Sequence, residues 1–145
     1  MTVEETTRFQ QEIYDELTGN ILPFWMNKAT DKEHGGFYGQ INGKGEVMES
    51  ADKGGILNSR ILWTFSSAYH RLGNSEYLKT AEYCRDYILK YFFDPDYGGT
   101  YWKLTSRGTP ADTKKQIYSQ AFFIYALSEL YKATGDTVCL DKSIS

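Results

Sequence analysis

Cysteine, histidine and proline are scarce in this 145-residue chain, which has two, two and three of them respectively. Cys84 and Cys139 lie far apart, with no CxxC spacing and no histidine beside them. Neither a disulfide framework nor a metal site is expected, and both thiols should be reduced. Basic runs are absent as well. Sixteen Lys and Arg against nineteen Asp and Glu leave a net charge of -3, and no Lys/Arg-rich face emerges, so nucleic acid is not an expected partner. Long apolar runs are also missing. Gln116 to Ser128 is uncharged, but it is too short and too rich in Tyr, Ser and Gln to span a bilayer. The start, MTVEETTRFQQEIYDEL, is acidic and lacks the apolar centre of a signal peptide. A cytoplasmic protein with no membrane contact is the expectation.

Aromatic residues, by contrast, are in excess: twelve Tyr, eight Phe and three Trp. Core packing absorbs most of them, yet Tyr and Trp also form platforms for flat, amphipathic ligands such as sugars. The chain also repeats itself. DKEHGGFYGQINGKG begins at Asp31 and DPDYGGTYWKLTSRG at Asp94, both reading D-x-x-x-G-G-x-Y, with Gly35 and Gly98 63 residues apart. LNSRILWTFSSAYHRLGN, from Leu57, aligns with SQAFFIYALSELYKATGD, from Ser119, at an offset of 62. A fixed period of this size means stacked supersecondary units, none able to bury its apolar face alone.

Two kinds of helix alternate within the units. The segments 54–72 and 116–134 are apolar around most of their circumference and should be buried on all sides, with Gly73 and Gly135 at their C-terminal caps. Ser75 to Phe92 is amphipathic, with Tyr77, Ala81, Cys84, Ile88 and Tyr91 on one stripe. A first helix over residues 5–26 carries Phe9, Ile13, Leu17 and Ile21 four apart, and Pro23 should kink or end it. The spacing predicts helices near 5–26, 55–72, 75–92 and 116–134, with short strands near Gly35 to Ile41 and Gly98 to Leu104. The expected class is all-α: an α/α toroid in which outer helices shield inner ones. A ring of six such units needs roughly 370 residues. Residues 1–145 are therefore expected to be the N-terminal part of one (α/α)6-barrel domain, an arc of about two helix-pair repeats. An unclosed arc of this kind should self-associate through exposed inner-helix flanks.

One charge stands out. Arg60 falls inside GGILNSRILWTFSSAYH, among Ile, Leu, Trp and Phe, where a permanent cation is costly without a partner. From the residues alone, the simpler account is a core arginine paired with a carboxylate of a neighbouring helix.

KGGILNSRILWTFSSAYHRLGNSEYL, DPDYGGTYW and DTKKQIYSQAFFIYALSELYKATGD resemble the N-terminal part of the N-acylglucosamine 2-epimerase superfamily, most nearly its cellobiose (mannobiose) 2-epimerase branch. The resemblance runs from about Phe9 to Asp136. It implies an (α/α)6 barrel and inversion at C2 of a reducing-end sugar, with a disaccharide or an N-acyl hexosamine as partner. Ring opening, removal of the C2 proton, a cis-enediolate and reprotonation on the other face need no metal or other cofactor. It also implies that Arg60 points into the cavity as the cation for the enediolate oxygens, and that Tyr118 hydrogen-bonds the sugar. Asn58 becomes a candidate substrate contact, or a brace for Arg60 or for the helix start. Trp63 reads as core, and Asp52 and Asp112, each just ahead of an inner helix, read as N-terminal caps. Neither His34 nor His70 matches the family's acid/base histidines, which lie on later inner helices. Two other readings stay open: a glycoside hydrolase or lyase on the same toroid, and a non-enzymatic α-repeat binding protein.

Overall fold

The computed structural model describes residues 2–144. They fall into two compact units, one reaching to Thr30 and one starting at Asp31.

The first unit is built on one continuous helical run. Thr2 and Glu5 form a reciprocal capping box at its start, with the Glu5 N–H donating to Thr2 Oγ1 at 3.2 Å and the Thr2 N–H to Glu5 Oε2 at 2.7 Å. Helix α1 (Val3–Glu16) widens into a π turn over Leu17–Ile21, and α2 (Leu22–Asn27) continues from it. Pro23 neither ends nor sharply breaks the run. A proline ring collides with the carbonyl four residues back, here Gly19, and the wide turn loosens the ladder at that place. The expected apolar stripe is present but bare, with Phe9, Ile13 and Ile21 each about half exposed; Leu22 is fully buried.

The second unit begins with a loop and builds two inner and two outer helices. Strand β1 (Lys53–Gly54) leads into α3 (Gly55–Leu72), and α4 (Ser75–Tyr87) follows. A π turn over Ile88–Phe92 ends α4. Strands β2 (Lys103–Leu104) and β3 (Pro110–Asp112) precede α5 (Ile117–Thr134) and α6 (Thr137–Ile144). The three strands form one small antiparallel sheet in the order β1-β2-β3. Helix α3 packs against both α5 and α4, and α5 packs against α6. The all-α expectation holds. Near Gly98 to Leu104 the strand is two residues long, whereas Gly35 to Ile41 forms isolated bridge residues, Ile41–Val47 among them, and no strand.

Gly73 and Gly135 end α3 and α5 at φ +69 and +76, the left-handed geometry that makes glycine the usual C-terminal cap. Asn74 caps α4 by accepting from the Glu76 N–H at 3.0 Å. The buried stripe of α4 is Tyr77, Ala81, Cys84, Tyr87, Ile88 and Phe92, not the predicted set ending in Tyr91. The π turn adds a residue to the last turn, so Phe92 instead of Tyr91 comes round to the core. Both thiols are free and buried, Cys84 on α4 and Cys139 on α6. Cys84 Sγ donates to the Asn58 carbonyl at 3.3 Å.

Helix α5 shows the exposed flank expected of an unclosed arc, not the burial on all sides expected within a ring: Ile117, Tyr118, Ile124 and Tyr125 are 49 to 85% exposed. It has two neighbours, α3 and α6, and two neighbours cannot cover a helix on every side.

The two rim loops carry equivalent ion pairs. Lys53 Nζ donates to Asp31 Oδ2 at 2.7 Å, with both side chains almost completely buried, and also to the Gly35 carbonyl. Lys115, 62 residues on, donates to Asp94 Oδ2 at 2.8 Å. Each Asp also folds its own loop: Asp31 Oδ1 accepts from the N–H groups of Glu33 and His34, and Asp94 Oδ1 from those of Asp96 and Tyr97. These contacts explain why the D-x-x-x-G-G pattern recurs.

Asp52 and Asp112 cap nothing. The residues at the cap positions are Gly54 and Gln116, and neither offers a side-chain hydrogen bond to its helix. Instead Asp52 lies 3.8 Å from Lys103 and Asp112 lies 2.9 Å from Lys114. Between Asp52 and α3 runs the extended β1, and four residues separate Asp112 from α5, so neither carboxylate reaches a helix N-terminus. The first N–H of α3 is met by the Trp102 carbonyl at 3.0 Å.

Candidate active site

A cleft of about 410 Å³ opens between α3 and α5, lined by Arg60, Trp63, Thr64, Tyr118, Phe122 and Tyr125. Three residues come from each helix, and their spacing explains why they meet. On α3, Trp63 and Thr64 follow Arg60 by three and four positions. On α5, Phe122 and Tyr125 follow Tyr118 by four and seven. At 3.6 residues per turn each set forms one stripe.

Arg60 is exposed, not buried, and among the described residues no carboxylate pairs with it. The core-arginine account is therefore set aside. The cation lines a cleft and is the only charged residue that does so among the described residues. Tyr118 lines the same cleft, 63% exposed, with its ring edge-on to Phe122 at 5.0 Å between centroids. The structure thus brings Arg60 and Tyr118 to one place.

Asn58 is elsewhere. It is fully buried, its amide donates to the Gly54 carbonyl at 2.9 Å, and it does not line the cleft. Two residues along a helix correspond to about 200° of rotation, so Asn58 and Arg60 face opposite ways. Asn58 braces the start of α3, the second of its two expected roles. Its repeat counterpart Gln120, one methylene longer, clamps the second rim loop, accepting from the Thr100 N–H and donating to the Thr100 carbonyl, both at 2.8 Å.

The sequence reading placed Trp63 in the core, yet it forms a wall of the cleft. Its ring stacks on Tyr125, with centroids 5.2 Å apart and planes 13° from parallel. Its indole N–H is buried with no acceptor among the described residues. Trp63 and Tyr125 are 62 residues apart, so equivalent positions of the two repeats touch. The signal was available, since Trp63 is one turn from Arg60 and Tyr125 two turns from Tyr118. Neither histidine enters the cleft: His34 is in the first rim loop and His70 is in the last turn of α3. Among the described residues no group of three or more His, Cys, Asp or Glu is arranged to hold a metal ion, and no helix is long and apolar enough to cross a membrane.

In chemical terms the cleft has aromatic walls, three hydroxyls (Thr64, Tyr118 and Tyr125) and one cation that no carboxylate pairs among the described residues. It suits a neutral, polar, ring-shaped ligand on which negative charge develops.

Cellobiose 2-epimerase of Bacteroides fragilis is 53% identical over 131 residues, which are 90% of this chain and 33% of that protein. The solved cellobiose 2-epimerase of Bacillus thermoamylovorans superposes with a TM-score of 0.92 at 40% identity, covering 95% of this chain and 35% of that one. A GH76 α-mannanase of Bacteroides thetaiotaomicron matches with a TM-score of 0.64 at 20% identity, over 75% of this chain and 29% of that one, a likeness of fold alone. These solved neighbours are α/α toroids, the architecture expected from the repeat. The chain spans about a third of the length of the curated relatives it matches. The model of the N-acylglucosamine 2-epimerase (GlcNAc 2-epimerase) family matches residues 36–140, which include the first rim loop from Gly36 onward, the whole of the second and every residue of the cleft, and the chain belongs to that family.

Proposed function

We propose that this chain supplies the anion-stabilising side of a sugar 2-epimerase site, within an (α/α)6 barrel of which it forms about two helix-pair repeats. The observation that carries the reading is Arg60, a permanent cation without a carboxylate partner, set beside Tyr118 in an aromatic cleft.

The chemistry follows from the sugar. In the open-chain form the C1 aldehyde acidifies the C2 proton, and removal of that proton places charge on the C1 oxygen, with the C2 hydroxyl cis to it. A guanidinium aimed at those oxygens stabilises the cis-enediolate more than the neutral substrate, which is the condition for faster turnover. Tyr118 donates to a sugar hydroxyl and fixes the orientation of the ring. Reprotonation from the opposite face yields the epimer with no net oxidation, so no cofactor is called on. The acid and base are histidines in the family resemblance, a residue type suited to proton exchange near neutral pH. Neither His34 nor His70 is placed for this. The substrate is a reducing-end disaccharide such as cellobiose or mannobiose, or an N-acyl hexosamine, met in the cytoplasm. The exposed face of α5 leads to self-association of the 145-residue chain, which light scattering would show as a mass above that of a monomer.

The test is a chimaera in which this chain replaces the matching third of the Bacteroides fragilis enzyme. It should exchange deuterium into C2 of cellobiose and form the epimer. Arg60→Ala in that chimaera should lower turnover by about two to three orders of magnitude with folding retained, as loss of one anion-stabilising donor does. Arg60→Lys should recover little, because an ammonium is a point charge and not a planar fork. Near-normal turnover in the Ala variant would remove Arg60 from the mechanism.

A further inference from the structure

The Trp63–Tyr125 pair has no assigned role in the reaction described above. Its geometry is that of a fixed plane: two rings 13° from parallel, contributed by equivalent positions of neighbouring inner helices. Tyr125 remains 50% exposed although one of its faces is against Trp63. No hydrogen bond to the indole N–H orients Trp63, so the stack itself sets the plane of the indole. Around this plane the cleft offers the hydroxyls of Thr64 and Tyr118 and the guanidinium of Arg60. A flat apolar surface edged by a few donors and acceptors matches a pyranose, whose axial C–H groups make one face apolar while its hydroxyls point outward. A phosphate ester fits less well, because the cleft holds a single cation. A planar base would stack, but it would leave the hydroxyl groups on the rim of the cleft without ring hydroxyls to meet.

We propose that the Trp63–Tyr125 stack is a platform for the apolar face of a pyranose unit, holding the sugar so that its reacting end meets Arg60. The proposal rests on the sugar-epimerase reading for its ligand class. It adds a binding subsite made of residues that take no part in proton transfer.

Saturation-transfer NMR on the 145-residue chain tests it, with cellobiose and methyl β-cellobioside as probes. The glycoside cannot open its reducing ring, so platform binding is separated from epimerisation. Saturating the aromatic protons should transfer signal to the C–H groups of one pyranose face in both sugars. Tyr125→Ala should weaken binding of both by about tenfold, the equivalent of one lost ring contact, and Tyr125→Phe should retain it. Ile124→Ala is the folding control, since it truncates an equally exposed neighbour that lines a different cavity, and it should leave binding unchanged. Loss of the stack should also reduce the near-ultraviolet dichroism of Trp63 in Tyr125→Ala. Equal transfer in wild type and Tyr125→Ala, an equal loss in Ile124→Ala, or no transfer in wild type would each overturn the platform. None of these outcomes touches the C2 exchange measured in the chimaera, and failure of that exchange would leave an observed platform standing.

Discussion

The two rim loops share a pattern and differ in what surrounds it. In the first, the Asp31–Lys53 pair is shut away, with side chains 2% and 1% exposed, and Lys53 lies over the Tyr87 ring at 5.1 Å. In the second, Asp94 is nearly buried but Lys115 is 33% exposed, lying over the Tyr101 ring at 4.4 Å. The difference traces to α4. The first loop is roofed by Tyr83, whose hydroxyl donates to the Asp31 carbonyl at 2.9 Å, and by Tyr87, packed on the glycine pair. Equivalent hydrogen bonds in a different dielectric serve different ends. The inner pair is costly to break, and the outer one responds to the solvent.

The largest expected effect follows from that contrast. Lys53→Ala strands a buried carboxylate and should cost about 3–5 kcal/mol in urea unfolding. Lys115→Ala, with its partner able to reach water, should cost clearly less. Equal losses would mean that burial does not separate the two loops.

The glycine pairs sharpen the same comparison. Gly36 and Gly99 both have left-handed backbones, φ +67 and +65. A Cβ on Gly36 would lie 2.7 Å from the Tyr87 ring, whereas on Gly99 it would meet the movable tip of Gln120 at 3.0 Å. Ala at either site carries the left-handed penalty. Gly36→Ala should lose about 1–3 kcal/mol beyond Gly99→Ala, the usual cost of overpacking, and thermal melts of the two variants would measure it.

The smallest effect is in acid. The Lys115 ammonium, opposed by some desolvation and helped by the N–H groups of Tyr97 and Asp96, holds the Asp94 carboxyl at about 2 against an ordinary 3.8. A depressed folded-state value stabilises the fold above the unfolded value and loses that contribution as pH falls. Stability should therefore be level from pH 7 to about 5 and decline between 3.8 and about 2. Burial works to raise the Asp31 carboxyl, but the His34 N–H and Lys53 outweigh it, so Asp31 adds in the same direction. In Lys115→Ala the acid limb should flatten, leaving the parts due to Asp31, Asp112 and Asp136, whose carboxyls are also held low. An unchanged limb would mean that Asp94 does not set it.

Much of this was legible in the residues. Periodicity located every helix longer than ten residues, and Gly73 and Gly135 marked where the inner ones end. The π turns were not legible, because no residue type announces one extra residue in a turn. Tyr91 was consequently taken for the core in place of Phe92. The ion pairs escaped for a different reason. Lysine reads as surface, and only the 62-residue recurrence of Lys53 as Lys115 hinted that these two hold the loops. At the cleft, Arg60 and Tyr118 were singled out through resemblance and line it together, whereas Asn58 lies away from it and Trp63, read as core, forms one of its walls. The 100° step along a helix puts Asn58 behind Arg60 and Trp63 beside it, a deduction that needed no structure.

Cys84 and Cys139 lie on successive outer helices, both shielded from water. Burial pushes the Cys84 thiol well up and, with Asp136 adding, brings Cys139 to about 12. Neither can present a thiolate while its helix is docked. The chain thus contains two natural clocks. A thiol reagent would record how often α4 and α6 each lift away, and the ratio of the two rates would rank the outer helices by the ease with which they open.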